Sequence, residues 1–317
     1  AKGERIVEIK REKEVKLCIP KLRRNPVIEI VPICSGCLGN CSYCIVRVAR
    51  GELFSYPINL ILRQIEEALK EGIREIWITA QDSGAYGKDR GTNLVELLNE
   101  ICKLKGKFFL RVGMMNPNHA LEMLDELIEV YKNSKVFKFL HLPVQSGNDG
   151  ILRKMNRFYR VEDFKEVVRK FRKEVPSLTL STDIICGFPE ESDEQFEDSL
   201  KLIQEIKPDV LNISRFWSRP GTLAESMQPL PGWKTKQRSR KLATLFEPIS
   251  LEKGKAWIGW RGKMLVDEKG KEKSWIGRNF AYKAIVVKSE EDLLGRFIEV
   301  EIKEARKGYL IAQITNL

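Results

Sequence analysis

Four cysteines, Cys34, Cys37, Cys41 and Cys44, fall within eleven residues of the stretch VPICSGCLGNCSYCIVRVARG at 31–51. Thiolates this close together bind zinc or build an iron–sulfur site. A four-cysteine zinc site usually draws on two Cys-x2-Cys knuckles separated by a longer excursion, whereas here only three residues separate the two pairs. A cluster held by three thiolates, with its fourth iron open, asks only that one short loop wrap a corner of the cube. Cys37, Cys41 and Cys44 form Cys-x3-Cys-x2-Cys, with the aromatic Tyr43 just before the last thiol. Cys34 reads as a small buried hydrophobe at the end of a strand. Structural zinc and an iron–sulfur cluster both stand as readings of the loop.

Something must hold that loop still. Short β-rich runs at 27–33, 75–80, 108–114, 135–144, 178–188 and 209–216 alternate with segments whose apolar residues recur at i, i+3 or i+4. Six βα units in succession predict a parallel sheet with helices outside, a partial (β/α)6 TIM-like barrel. Sites on parallel sheets sit past the C-terminal ends of the strands. The cysteine loop follows the first strand, QDSGAYG the second, NPNH the third, QSGND the fourth, GFPEES the fifth and WSRPGT the sixth. A boundary falls near 218–253, where turn formers give way to a basic connecting helix. Beyond it the pattern shifts to short alternating strands, a small all-β barrel. The expected division is a basic tail at 1–26, the βα domain with its connecting helix at 27–253, and the small barrel at 254–317.

The chain of 317 residues carries a formal net charge of +11. Residues 1–26 hold nine Lys/Arg against four Asp/Glu and residues 254–317 thirteen against nine, so the ends carry most of the excess. That distribution fits a grip on a polyanion, and equally a solvated Lys/Glu-rich surface. No apolar run approaches a membrane span, the N-terminus is charged, and the seven cysteines do not form a spread disulfide framework, so a reducing, cytoplasmic setting with no membrane partner is expected.

The Cys37, Cys41, Cys44 spacing resembles the signature of the radical S-adenosylmethionine enzymes. In that superfamily the three thiols hold a [4Fe-4S] cluster whose open iron binds the methionine part of S-adenosyl-L-methionine. The resemblance puts those roles on Cys37, Cys41 and Cys44 and sets Tyr43 beside the adenine. KLRRNP, ARG at 49–51, DSGAYGKDRGT, HLPVQSGND, LRKMNRFY, TDIICGFPEES and RFWSRPGT together resemble the methylthiotransferase branch, most of all the archaeal and eukaryotic enzymes that modify threonylcarbamoyladenosine beside the tRNA anticodon. GRNFAYKAIVV at 277–287 is similar to the TRAM domain, a small RNA-binding barrel. The resemblance implies a tRNA partner, reductive cleavage of S-adenosylmethionine to a 5′-deoxyadenosyl radical, and methylthiolation at C2 of the adenosine. It does not identify the electron donor. Isopentenyladenosine in tRNA and a ribosomal-protein aspartate are the alternative substrates. A non-catalytic RNA-binding protein with a structural zinc is the alternative of another class. The family carries a second [4Fe-4S] cluster on a domain ahead of the radical domain. With Cys18 alone in the first two dozen residues, the chain is expected to be a fragment without that domain.

Other residues take expected roles from position and type. Gln81, Asp82 and Ser83 offer acceptors for the cofactor's ammonium group, Gln145 and Ser146 partners for ribose hydroxyls or substrate. Arg157, with Arg160, suits the methionine carboxylate. Asp183 is a carboxylate inside an otherwise apolar strand, which is costly unless it faces a polar lumen, so it is assigned to the site. Cys186 is read as core, and His141 is expected to point into the barrel; neither it nor His119 has a partner at metal-ligand spacing. In the last domain Trp257, Trp260, Trp275, Phe280 and Tyr282 interleave with Arg261, Lys273, Arg278 and Lys283. Arg261, Arg278 and Lys283 are the expected RNA contacts, Arg278 foremost.

Overall fold

The computed structural model describes residues 13–316. The first twelve residues of the expected basic tail lie outside the described residues. The chain runs β1 (Ile28–Pro32), β2 (Cys34–Ser35), α1 (Val46–Arg50), β3 (Phe54–Ser55), α2 (Ile58–Lys70), β4 (Glu75–Thr79), α3 (Leu94–Lys103) and β5 (Phe109–Val112). It continues through α4 (Pro117–Glu122), α5 (Leu124–Lys132), β6 (Phe139–His141), α6 (Asp149–Lys154), α7 (Val161–Glu174), β7 (Thr179–Cys186), α8 (Asp193–Ile206) and β8 (Val210–Arg215). The long α9 (Gly232–Lys255) leads to β9 (Arg261–Lys269), β10 (Ser274–Asn279), β11 (Ala284–Lys288), β12 (Phe297–Arg306) and β13 (Tyr309–Asn316).

The helices form where apolar residues share a face: Ile61, Ile65 and Ala68 of α2, and Phe164, Val167, Val168 and Phe171 of α7, are the buried ones. The start of α8 is set by a reciprocal cap, Gln195 N donating to Ser192 Oγ at 3.2 Å and Ser192 N to Gln195 Oε1 at 2.9 Å. β1, β4 and β5 pair in parallel, as do β6, β7 and β8. Phe137 N donates to Leu110 O at 3.0 Å and joins the two sheets, so six strands follow one another in sequence order around an open arc. The run at 135–144 is strand only over Phe139–His141, because Pro143 brings no N–H to a ladder.

Alternation divides each strand between two environments. Ile76, Ile78, Leu110, Leu140, Leu180 and Ile184 are buried in the main core with the helices. The opposite faces are polar: Trp77, Arg111, His141, Asp183 and Asn212 project into the arc, where their side chains meet across strands. The lumen is therefore an open, polar space rather than a second core.

The last five strands close into a barrel in the order β10, β11, β13, β12, β9. This barrel docks where the strands of the arc begin. Lys138 N donates to Phe280 O at 2.8 Å and Thr179 Oγ1 to Ala281 O at 2.7 Å. Tyr282 packs its ring 4.8 Å from those of both Phe137 and Phe139. The N-terminal end of the arc is thus covered by the small barrel, and the loops past β1 and β4 to β8 occupy the other end.

Candidate active site

Val31 and Ile33 are fully buried and carry the chain to Cys34, which pairs with Ser55 of β3 and is 7% exposed. Gly36 then turns the chain with φ of +68°, where a Cβ would lie 2.1 Å from Glu52 O. Only glycine fits there. The loop closes back through Cys37 N to Gly51 O at 3.3 Å and Cys44 N to Cys41 O at 3.1 Å. Gly39 lies between the first two site thiols: a Cβ on it would meet Cys37 Sγ at 3.6 Å and Cys41 Sγ at 3.8 Å, so both sulfurs lie against the same glycine. Ser42 pins the loop to its surroundings by donating N to Met155 O at 3.0 Å and Oγ to Lys154 O at 2.7 Å, while its own carbonyl accepts from Ala224 N at 2.7 Å.

The loop is also electrostatically prepared. Arg157 donates Nη1 to Cys41 Sγ at 3.1 Å, Nε to Tyr159 Oη at 3.0 Å, and Nη2 to Asn116 Oδ1. Burial pushes the Cys37 thiol up to about 11 and raises Cys44, so both are protonated at neutral pH until a metal displaces the proton. Among the described residues no three His, Cys, Asp or Glu side chains gather as the ligands of a single ion. Separate half-buried thiols on one loop, with a guanidinium beside one of them, fit a polyanionic iron–sulfur cluster, whose thiolates sit on different corners.

The residues expected to bind the cofactor divide. Tyr43 lies edge-on to Phe188 at 6.4 Å, beside Ile151 and Met155. Gln145 has a positive φ of 70°, held by Gln145 N to Asp183 O at 2.8 Å and Ile185 N to Gln145 O at 3.0 Å, and its side chain has no partner among the described residues. Such strain in a non-glycine residue clusters at working sites. Asp183 Oδ1 lies 2.8 Å from His141 Nε2 and accepts from Asn212 Nδ2 at 2.7 Å, which leaves Oδ2 open to the lumen. Gln81 is half-buried at the head of its loop.

Others are committed to the scaffold. Asp82, 3% exposed, accepts from Gly84 N and Asn116 N at 3.1 Å each and from Asn116 Nδ2 at 2.6 Å, with His119 Nε2 at 3.6 Å, so its acceptors are taken by neighbours. Ser83 is buried against Gly113 with its hydroxyl unpartnered. Ser146 is turned toward Ser199 of α8 at 3.5 Å and accepts from Asn148 N at 3.2 Å, which builds the turn before α6. Arg160 precedes α7, its N donating to Asp163 Oδ2 at 2.7 Å, and forms no fork with Arg157. Cys34 and Cys186 are core.

Two of the expected RNA contacts have partners where the barrels dock. Lys283, 13% exposed, is paired at 2.7 Å with Asp209, just ahead of β8. Arg278 is 18% exposed, lies 3.4 Å from Asp267 and stacks over Tyr282 at 5.3 Å. Both serve the interface, whereas Arg261 stays exposed beside Glu301. Trp257, Trp260 and Phe280 pack on one another. Sequence reasoning missed Asn116, which joins Arg157 to Asp82, and Asn212; the signals were the place of Asn116 in the loop past β5 and the polar side chain of Asn212 between apolar neighbours in β8.

Comparison with known proteins follows the same division. The pattern of the Radical SAM superfamily matches residues 31–203 and that of the TRAM domain residues 263–315. The chain is 47% identical over 316 residues to a probable threonylcarbamoyladenosine tRNA methylthiotransferase of Pyrococcus horikoshii, covering 99% of this chain and 74% of that one. It is 47% identical over 295 residues to the protein of the same description in Archaeoglobus fulgidus, at 93% and 69% coverage. With the threonylcarbamoyladenosine tRNA methylthiotransferase of Homo sapiens it shares 41% identity over 300 residues, at 94% and 52% coverage. Two solved structures share the fold. A radical S-adenosylmethionine methyltransferase from Kitasatospora setae aligns at TM-score 0.53 and 16% identity over 62% of this chain and 38% of its own. Coproporphyrinogen III oxidase from Escherichia coli aligns at 0.51 and 17%, over 88% and 68%.

Proposed function

Because the chain belongs to the radical S-adenosylmethionine superfamily, and within it to the threonylcarbamoyladenosine tRNA methylthiotransferases, we propose that it adds a methylthio group at C2 of threonylcarbamoyladenosine in tRNA, at position 37 beside the anticodon. The observation that carries this reading is the loop past β1, where the sulfurs of Cys37 and Cys41 lie against Gly39 and Arg157 donates to Cys41. No helix among the described residues is long and apolar enough to cross a membrane.

Cys37, Cys41 and Cys44 are the residues that would hold the [4Fe-4S] cluster. When bound, the cluster supplies the single electron that cleaves S-adenosylmethionine. Arg157 orients Cys41 and balances part of the charge of the thiolates. Tyr43, packed edge-on to Phe188, is the ring that would stand beside the adenine, and Gln145 would offer its unspent amide to the ribose or the substrate. Asp183, held by His141 and Asn212, directs an acceptor into the lumen that the modified base would enter. Asp82 and Asn116 act behind this layer, as positioning residues for Arg157.

The test is anaerobic incubation of the reconstituted, reduced protein with S-adenosylmethionine and tRNA carrying either threonylcarbamoyladenosine or isopentenyladenosine, followed by quantification of 5′-deoxyadenosine. Release stimulated by the first tRNA alone is expected. Stimulation by the second alone would overturn the substrate assignment.

A further inference from the structure

A cleft of about 240 Å³ opens where the two barrels meet α9. Phe139, Thr179 and Val210, at the beginnings of β6, β7 and β8, form one wall. The opposite side is built by Lys253 of α9 and by Arg306 and Tyr309, which flank the tight turn between β12 and β13 at Gly308. None of these residues belongs to the site described above.

The cleft lacks an anion. Its lining includes Lys253, Arg278, Lys283 and Arg306 against a single carboxylate, Asp209. Asp209 is taken by Lys283 at 2.7 Å, Arg278 lies 3.4 Å from Asp267, and Arg306 is paired with Glu304 at 2.6 Å. Lys253 is half-buried and has no hydrogen bond or ion pair among the described residues. Arg278 Nη1 is buried without a hydrogen-bond partner. Buried cationic groups left unpaired are costly, and an incoming anion would satisfy them. Beside these charges stands an aromatic surface: Tyr309, 42% exposed, lines the cleft together with Phe139 and Leu310.

Cations next to an accessible ring are the means by which proteins hold single-stranded nucleic acid, phosphate on the cation and base on the ring. The volume lies below that of a pocket for a drug-sized ligand, so it suits one nucleotide rather than a base pair. Only an unpaired base can offer its face. The cleft is also at the wrong end for the reaction: the eight residues of β7 carry the chain roughly 23 Å from Thr179 to the loop end at Cys186.

We propose that this cleft binds one unpaired nucleotide of the substrate tRNA, its phosphate at Lys253 and its base against Tyr309, as an anchor separate from the adenosine that reacts. The inference rests on the tRNA substrate assigned above. It also explains how a chain whose expected contacts Arg278 and Lys283 are engaged in the interface still offers the RNA a basic foothold.

Binding of tRNA to the complete chain tests it. Lys253→Ala and Tyr309→Ala should each raise Kd by about fivefold or more, as loss of one stacked base or phosphate contact requires. Lys253→Arg and Tyr309→Phe should stay within about twofold of wild type, and the rate of S-adenosylmethionine cleavage at saturating tRNA should be unchanged in all four. A photoreactive residue at position 309 should attach to an unpaired nucleotide other than 37. An unaltered Kd in both alanine variants, or attachment to nucleotide 37 or to a paired stem, would overturn the proposal. The conservative variants separate loss of contact from loss of folding. Attachment as expected with no release of 5′-deoxyadenosine stimulated by that tRNA in the wild type would sink the proposed function and leave the anchor standing. Normal 5′-deoxyadenosine release with unaltered Kd in the variants does the reverse.

Discussion

Arg157 places its Nη1 3.1 Å from the sulfur of Cys41, so a cation from the loop after α6 is part of the thiol site. A charge-assisted hydrogen bond of this kind contributes about 1.5–3 kcal/mol. Arg157→Ala should slow S-adenosylmethionine cleavage at least about tenfold and shift the cluster's midpoint potential to more negative values, because the added electron loses a nearby positive charge. Arg157→Lys should recover part of both. Redox titration followed by electron paramagnetic resonance measures the potential; an unchanged value in Arg157→Ala would remove the residue from the site.

Cys37→Ala, Cys41→Ala and Cys44→Ala should each abolish the broad iron–sulfur absorption of the reconstituted protein. Cys34→Ala should keep it, since that side chain is packed in the core and paired in register with Ser55. Its cost should be confined to stability, about 1 kcal/mol. A colourless protein holding one zinc would return the loop to a structural role.

The interface between the barrels contains a carboxylate pair. Burial first, and the charge of Asp267 second, push Glu75 up to about 8 from the usual 4.5; burial likewise pushes Asp267 up to about 6. Glu75 Oε2 and Asp267 Oδ1 are buried without partners, and a proton on Glu75 supplies a missing donor. Between the ordinary and the raised pKa the folded chain holds a proton that the unfolded chain has released. The stability from this site is therefore complete below about pH 4.5 and is lost as pH rises through about 8. Glu75→Gln should flatten the melting temperature between pH 6 and 9 and raise it at pH 9 by at least about 2 °C. Parallel curves for the two proteins in scanning calorimetry would contradict this.

Lys283 and Asp209 form an ion pair whose side chains are 13% and 6% exposed, and it ties the small barrel to the arc. Removing one partner from a buried pair leaves the other charge uncompensated, at about 3 kcal/mol. Lys283→Ala should lower the unfolding midpoint and speed proteolysis between α9 and β9. Adding Asp209→Asn should restore part of the loss. Additive effects in the double variant would show that the two do not act as a pair.

Much of this architecture is written locally. The alternation of β-rich and amphipathic runs determined six βα units in order, and the thiol spacing marked Cys37, Cys41 and Cys44, because strand pleat, helix periodicity and a ligand loop depend on residues within a few positions of one another. The lumenal place of Asp183 was legible for the same reason: a carboxylate in an apolar strand must find polar company.

What the sequence could not decide is where separate elements meet. Residue type and alternation mark Arg278 and Lys283 as outward-facing cations of a small barrel, yet one outward face of that barrel lies against the strand beginnings of the other. Asp82 offers acceptors in the sequence and spends them on Asn116, 34 residues away, while Arg157 reaches Cys41 across 116 residues. Contacts at such separations arise from the packing of whole elements, and no local period or spacing encodes them, so the docked face, the engaged cations and the cleft between the barrels belong to the tertiary structure alone.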